Sequence, residues 1–203
     1  KEYIDYRVRF KFHKIRKKGS PLSSGVGKAP GPEGLANSLK QIDALLLRCL
    51  QNKQAKLKPI DAYDICMHIA DAVLSGGVRR SATIALFSPY DEDMLNAKTG
   101  NWFIDNPQRA RSNNSCVLLK SDTSYPDFQD ILQHTKEYGE PGFVWVDDLE
   151  HLVNPCVEIS FWCYNIVDQT KYDKYMETYD GKGYDCNLKK IGLESGWQGC
   201  NLS

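Results

Sequence analysis

Apolar positions along this chain follow two different periods, and the changes between them mark out its elements. Arg7-Val8-Arg9-Phe10-Lys11-Phe12 alternates basic and apolar residues, the period-two pattern of a half-buried strand. From Leu35 to Leu50 the set Leu35, Leu39, Ile42, Leu46 and Cys49 has helical spacing, so a helix is expected there. After a Lys-rich break marked by Pro59, Asp61 is placed to cap a second helix through Ile65, Ile69, Ala72 and Val73. Ser75 to Leu86 runs from a flexible turn into a strand, and Ser88-Pro89 is a cap and first turn for a short acidic helix through Leu95. Asn113 to Leu119 reads as a polar turn entering a buried strand. Ser124-x-x-Asp127, ahead of Phe128, Ile131 and Leu132, is a variant of the helix-start signature. Gly139-Glu140-Pro141-Gly142 then breaks the chain before the apolar strand Phe143-Val144-Trp145-Val146. Strand, helix and strand in alternation predict an α/β architecture.

Two stretches fall outside this pattern. Residues 19–34 are so rich in Gly and Pro that only a loop is expected. Its Gly25-Val26-Gly27-Lys28 has a phosphate-loop look, but Ala29 stands where that motif needs Ser or Thr, so a Walker-type site is rejected. Residues 164–195 are hydrophilic and rich in Tyr and Lys, and an insertion with marginal structure is expected; Cys163 and Cys186, in or beside it, match no motif.

Composition narrows the class. Hydrophobic residues make up 41% and charged residues 26%, and the formal net charge is zero, as in ordinary globular proteins. Bulk charge gives no reason to expect a nucleic-acid partner, and no apolar run is long enough to expect a membrane one. The seven Cys form no Cys-x-x-Cys pair and no His-spaced cluster, which argues against a metal site and against a disulfide framework. A reducing, cytoplasmic setting is therefore expected. The chain opens on Lys1 without an initiator Met and is expected to be an internal segment of something longer.

The densest chemistry lies in Asn154-Pro155-Cys156-Val157-Glu158-Ile159. If this stretch is extended, Asn154, Cys156 and Glu158 share one face at roughly 6 to 7 Å spacing. The plainer alternative is a Pro-turn with an inert buried Cys. Cys66 and His68 lie two apart on a predicted helix and do not face each other, so core packing is expected for them. Gly76-Gly77-Val78-Arg79-Arg80-Ser81 combines backbone freedom with two planar cationic forks; it reads either as a nucleotide-contacting loop or as a helix stop with surface Arg.

Asn-Pro-Cys-Val-Glu-Ile resembles the finger loop of ribonucleotide reductase catalytic subunits. Three further stretches are similar to the same family in the same order: residues 19–34 to its first specificity loop, residues 75–81 to its second, and Cys200-Asn201-Leu202-Ser203 to its redox-cysteine turn. Asn113-Asn114-Ser115 and Gly139-Glu140-Pro141-Gly142-Phe143 also look like it. The resemblance implies part of a ten-stranded α/β barrel with a central finger loop. It implies that Cys156 forms the thiyl radical that attacks the ribose, that Glu158 is the base for the 3′ hydroxyl, and that Asn154 holds the substrate hydroxyls. Cys200 would be one of two redox thiols, the other lying upstream of this chain; Cys116 is the one tempting internal substitute. Gly76, Gly77, Arg79, Arg80 and Ser81 would report a bound deoxynucleotide or ATP effector to the substrate base. The resemblance further implies a thioredoxin- or glutaredoxin-type reductant and a possible homodimer.

Arg79-Arg80-Ser81-Ala82 looks like the adenosylcobalamin-dependent class, so a vitamin B12-dependent ribonucleoside-diphosphate reductase is the expectation. The oxygen-dependent class is the alternative, and Glu158 separates the chain from the glycyl-radical class. Two readings from other classes are a non-catalytic nucleotide-binding regulatory module and a thiol hydrolase pairing Cys156 with His151. The first leaves Asn154, Cys156, Glu158 and Cys200 without a use; the second leaves Asn154 and Glu158 without a role and lacks an oxyanion loop.

Overall fold

The computed structural model describes residues 9–23, 27–75, 79–80, 82–157, 160–162, 164–178 and 192–195. They fall into two compact units, residues 1–85 with 91–113 and residues 86–90 with 114–203. The chain is mixed α/β.

The first unit is built on two helices, α1 (Glu33–Gln51) and α2 (Pro59–Ala72). Both were legible; α1 buries part of the expected face, with Cys49 buried and Leu39 and Ile42 half-buried, and α2 turns a different face inward from the one expected. In α1 the buried residues are Ser38, Leu45 and Cys49, whereas Leu35 and Leu46 are exposed. Leucines at 45, 46 and 47 offer overlapping stripes, and packing against α2 selects one of them. In α2 the core residues are Tyr63, Met67 and Ala70. Cys66 and Ile69 are exposed and His68 is half-buried, so the core placement expected for Cys66 and His68 does not hold.

Asp61 is not the cap itself but lies in the first turn of α2, where its carboxylate accepts from the Lys58 N–H at 3.1 Å and from the Gln54 amide at 3.1 Å. Burial opposes the charge on Asp61, yet those bonds, the Cys49 thiol and Arg48 outweigh it and hold the carboxyl below its usual range. Burial, and then the Asp61 charge, push the Cys49 thiol up.

Strands β1 (Leu74–Ser75) and β2 (Arg79–Arg80) pair antiparallel, with Ser75 opposite Arg79. The short helix α3 (Glu92–Leu95) is capped by Asp91, whose carboxylate accepts from the Met94 N–H. Ser88-Pro89, expected to be that cap, forms a turn instead, with Ser88 Oγ accepting from the Tyr90 N–H. Helix α4 (Trp102–Asp105) and a 3-10 turn (Pro107–Arg111) complete the unit. Arg109 donates from Nε and Nη2 to the two oxygens of Asp64 at 2.8 and 2.6 Å, and from Nη1 to the Ala97 carbonyl. Gln108 adds a bond to Asp64 at 3.1 Å. Both side chains of the Arg109–Asp64 pair are nearly buried.

Of the loop expected over 19–34, the described residues 19–23 and 27–32 lie outside any helix or strand and Glu33 and Gly34 open α1; a bridge between Pro21 and Lys28 and the Gly19 N–H donating to the Ala29 carbonyl close it. The strand expected from Arg7 to Phe12 is not formed over its described part, Arg9–Phe12. Alternation needs a neighbouring edge to pair with, and among the described residues none lies across from it.

A three-stranded sheet has the order β3 (Thr83–Phe87), β4 (Ser112–Leu119), β5 (Gly142–Val146). β4 and β5 are parallel, with Cys116 opposite Phe143 and Leu118 opposite Trp145. Cys116 and Leu118 are fully buried; a parallel strand covered on both faces accounts for the unbroken apolar run. Asn113 and Asn114 belong to this strand, not to a turn before it.

The crossover is helix α5 (Tyr125–Tyr138). Ser124 caps it in a reciprocal pair with Asp127, and Gly139, at φ 78°, ends it in the left-handed conformation that only glycine adopts freely. Phe128 of α5 meets Phe143 and Trp145 edge-on at 5.0 and 5.3 Å.

Strands β6 (His151–Val153) and β7 (Ser160–Trp162) then pair antiparallel. Beyond them, β8 (Tyr164–Ile166) pairs with β9 (Leu193–Ser195), and α6 (Gln169–Met176) follows β8 with Asp168 as its cap. The described ends of the hydrophilic stretch are therefore regular structure, not the marginal structure expected; Cys163 and Cys186 lie outside the described residues.

Candidate active site

The hexapeptide carrying the thiol is the tip of the β6–β7 hairpin. Val153 pairs with Ser160, so the chain reverses between them. An extended row cannot do this. Asn-Pro favours turn initiation, and the Val157 N–H donates to the Asn154 carbonyl at 2.9 Å, closing a four-residue turn with Pro155 and Cys156 at its centre. The expected extended face is thus replaced by a turn over 154–157.

Burial separates the turn's functional groups. Asn154 is 4% exposed, while Cys156 is exposed and reduced. Half of the plainer reading is correct, since the Pro-turn is present, but its thiol is not buried. Val157 has φ 68° and is 43% exposed. A β-branched residue in the left-handed region is a true outlier, at a cost of about 1–3 kcal/mol. Glu158, the expected base, lies outside the described residues.

The other expected site residues divide in the same way. Arg79 and Arg80 form β2, in the first unit; Gly76, Gly77 and Ser81 lie outside the described residues, as does Cys200. Cys116, the candidate internal redox thiol, is completely buried within β4.

Sequence reasoning missed two features. One is a cavity of about 450 Å3 in the second unit, walled by Phe87, Tyr90, Val117, Leu119, Leu149 and His151 among others. It lies where β3 and β4 end, the side of a parallel sheet on which ligand crevices form. The other is a polar recess of about 190 Å3 in the first unit, beside the Arg109–Asp64 pair and lined by Gln41, Arg48, Asp64, His68 and Asn106. Burial there pushes His68 below its ordinary value, against Asp64 and Asp71. Both sites join residues more than thirty positions apart, and no local spacing reports such a meeting. Among the described residues no group of three or more His, Cys, Asp or Glu is arranged to hold a metal ion. Nor is any described helix long and apolar enough to cross a membrane.

No family profile matches the chain, and no solved structure does. Curated relatives do. An adenosylcobalamin-dependent ribonucleoside-triphosphate reductase of Lactobacillus delbrueckii subsp. bulgaricus is 34% identical over 165 positions, covering 72% of this chain and 21% of the relative. A protein of the same name from Levilactobacillus brevis is 28% identical, covering 91% of this chain and 24% of the relative. One named as a probable such reductase in Dictyostelium discoideum is 32% identical, covering 70% and 18%. These names correct the expectation of a diphosphate reductase, because the relatives are named for triphosphates. Over most of its length the chain is a homologue of proteins named adenosylcobalamin-dependent ribonucleoside-triphosphate reductase, and it spans about a fifth of theirs.

Proposed function

We propose that this chain is the finger-loop segment of a radical enzyme that reduces ribonucleoside triphosphates to 2′-deoxyribonucleotides, with adenosylcobalamin as cofactor. The observation that carries the reading is the exposed thiol of Cys156 on a strained turn at a hairpin tip, in a homologue of proteins so named. When bound, adenosylcobalamin supplies a weak cobalt–carbon bond as a radical source. Among the described cysteines, Cys49 and Cys116 are buried, Cys66 lies on a plain helix surface and Cys156 is exposed at a loop, so Cys156 fits the part of a hydrogen-atom donor open to approach. Cys156 is the residue that would face the group, which is held mainly by parts of the reductase outside this chain.

Cys156 as a thiyl radical takes the ribose 3′ hydrogen atom, forming S–H as C3′–H breaks. Glu158 accepts the 3′ hydroxyl proton, the task of a carboxylate within hydrogen-bond reach. Asn154 orients the hydroxyls, since an amide both donates and accepts. As the C2′–O bond breaks and the 2′ hydroxyl leaves as water, Cys200 and a second thiol from outside the chain supply two electrons and two protons and close to a disulfide, which a thioredoxin- or glutaredoxin-type protein reopens; Cys156 returns the hydrogen atom to C3′. Residues 19–34 and 75–81 carry effector information to the base, at a subunit interface if the protein is a homodimer. The elements described here then form part of a ten-stranded barrel around the loop, which keeps water from the radical.

The test is an anaerobic assay of the full-length reductase with adenosylcobalamin, a dithiol and either ribonucleoside triphosphates or diphosphates. Deoxynucleotide formation from triphosphates without a second protein is expected. Cys156→Ser should bind nucleotide and form no product. Product from that variant would sink the role of Cys156, and activity that required a metal-containing small subunit would overturn the cofactor.

A further inference from the structure

The strain at Val157 is local and specific. In a four-residue turn that feeds back into a hairpin, the residue closing the turn is commonly glycine, which reaches positive φ without a steric penalty. This chain places a valine there, at φ 68°. A residue that breaks the local rule at a reactive loop points to a role beyond the loop's own stability. Its immediate neighbour is Cys156, and its N–H is the donor that closes the turn onto Asn154.

We infer that Val157 is a positioning residue for the Cys156 thiol. A β-branched residue allows far fewer backbone conformations than glycine does. Glycine at the same place would relieve the strain and also admit many other backbone conformations, spreading the places that the thiol can occupy. Asn154 is buried and Cys156 exposed, and the backbone at residue 157 sets the direction in which the chain leaves the thiol. Hydrogen-atom transfer demands close approach of the reacting atoms, so the effect falls on turnover and not on substrate binding. This inference rests on the proposed role of Cys156.

The experiment compares Val157→Gly, Val157→Ile and Cys156→Ser in the full-length reductase. Val157→Gly should keep or raise the thermal midpoint, leave KM for the nucleoside triphosphate unchanged and lower kcat by about 10- to 100-fold, the scale of a small misplacement. In the cofactor-free protein its residue-157 amide should exchange with solvent about tenfold faster than in the wild type, as a loosened turn requires. Val157→Ile, stiff at the same bond, should restore both values. Wild-type kcat in Val157→Gly overturns the inference. So does a loss of kcat matched by a fallen thermal midpoint, or an Ile variant as poor as Gly. Turnover by Cys156→Ser would instead remove the reading beneath it.

Discussion

Asp64 keeps its place in the interior of the first unit because Arg109 meets both of its oxygens in a fork. A carboxylate so enclosed depends on its partner, since removing one member of a buried pair leaves an uncompensated charge. Arg109→Ala should therefore destabilise the protein by about 3–5 kcal/mol, read as a shift in urea-unfolding free energy. Arg109→Lys should recover only part of this, because an ammonium cannot supply the two parallel bonds. Nothing in the sequence joined residues 64 and 109, whereas Ser124 and Asp127 were readable as a pair because both partners of that cap lie within one turn. Val157 shows the same limit differently. Its left-handed backbone conformation is not one that valine prefers, so the hexapeptide pattern pointed to an extended row.

At the scale of elements, periodicity located α1, α2, α5 and β5, and it failed on which side of α2 is buried. That choice belongs to the partner surface. It left His68 half-buried at a polar recess, with burial lowering its pKa from the ordinary 6.5 despite Asp64 and Asp71. With the folded value below the unfolded one, the unfolded chain binds the proton more readily. The contribution of His68 to stability is then fully present above about pH 6.5 and is lost as the pH falls through the folded value. Urea midpoints measured across this window should drop on acidification, and His68→Gln should flatten the drop. A drop of equal size in the variant would assign it to other groups.

At the scale of the molecule, the order of motifs pointed to the reductase family, while the substrate's phosphate count did not follow from them. The names of the relatives corrected it. Arg79 and Arg80 belong to this scale, since the role proposed for them links an effector to a substrate base. Changing either to Ala in the full-length reductase should alter which ribonucleotide is reduced with a given effector, measured in mixed-substrate assays, with overall stability nearly unchanged. A change in stability alone would make them surface residues of a hairpin.

Among the described residues the parallel sheet ends at β5, where Phe143 and Trp145 are 38% and 40% exposed. A strand in that position presents a row of backbone donors and acceptors to whatever approaches. Prepared as a separate polypeptide, these 203 residues would carry that adhesive border into solution. Their colloidal behaviour would then be set by protein concentration, and self-association at β5 would compete with every measurement that assumes dispersed molecules.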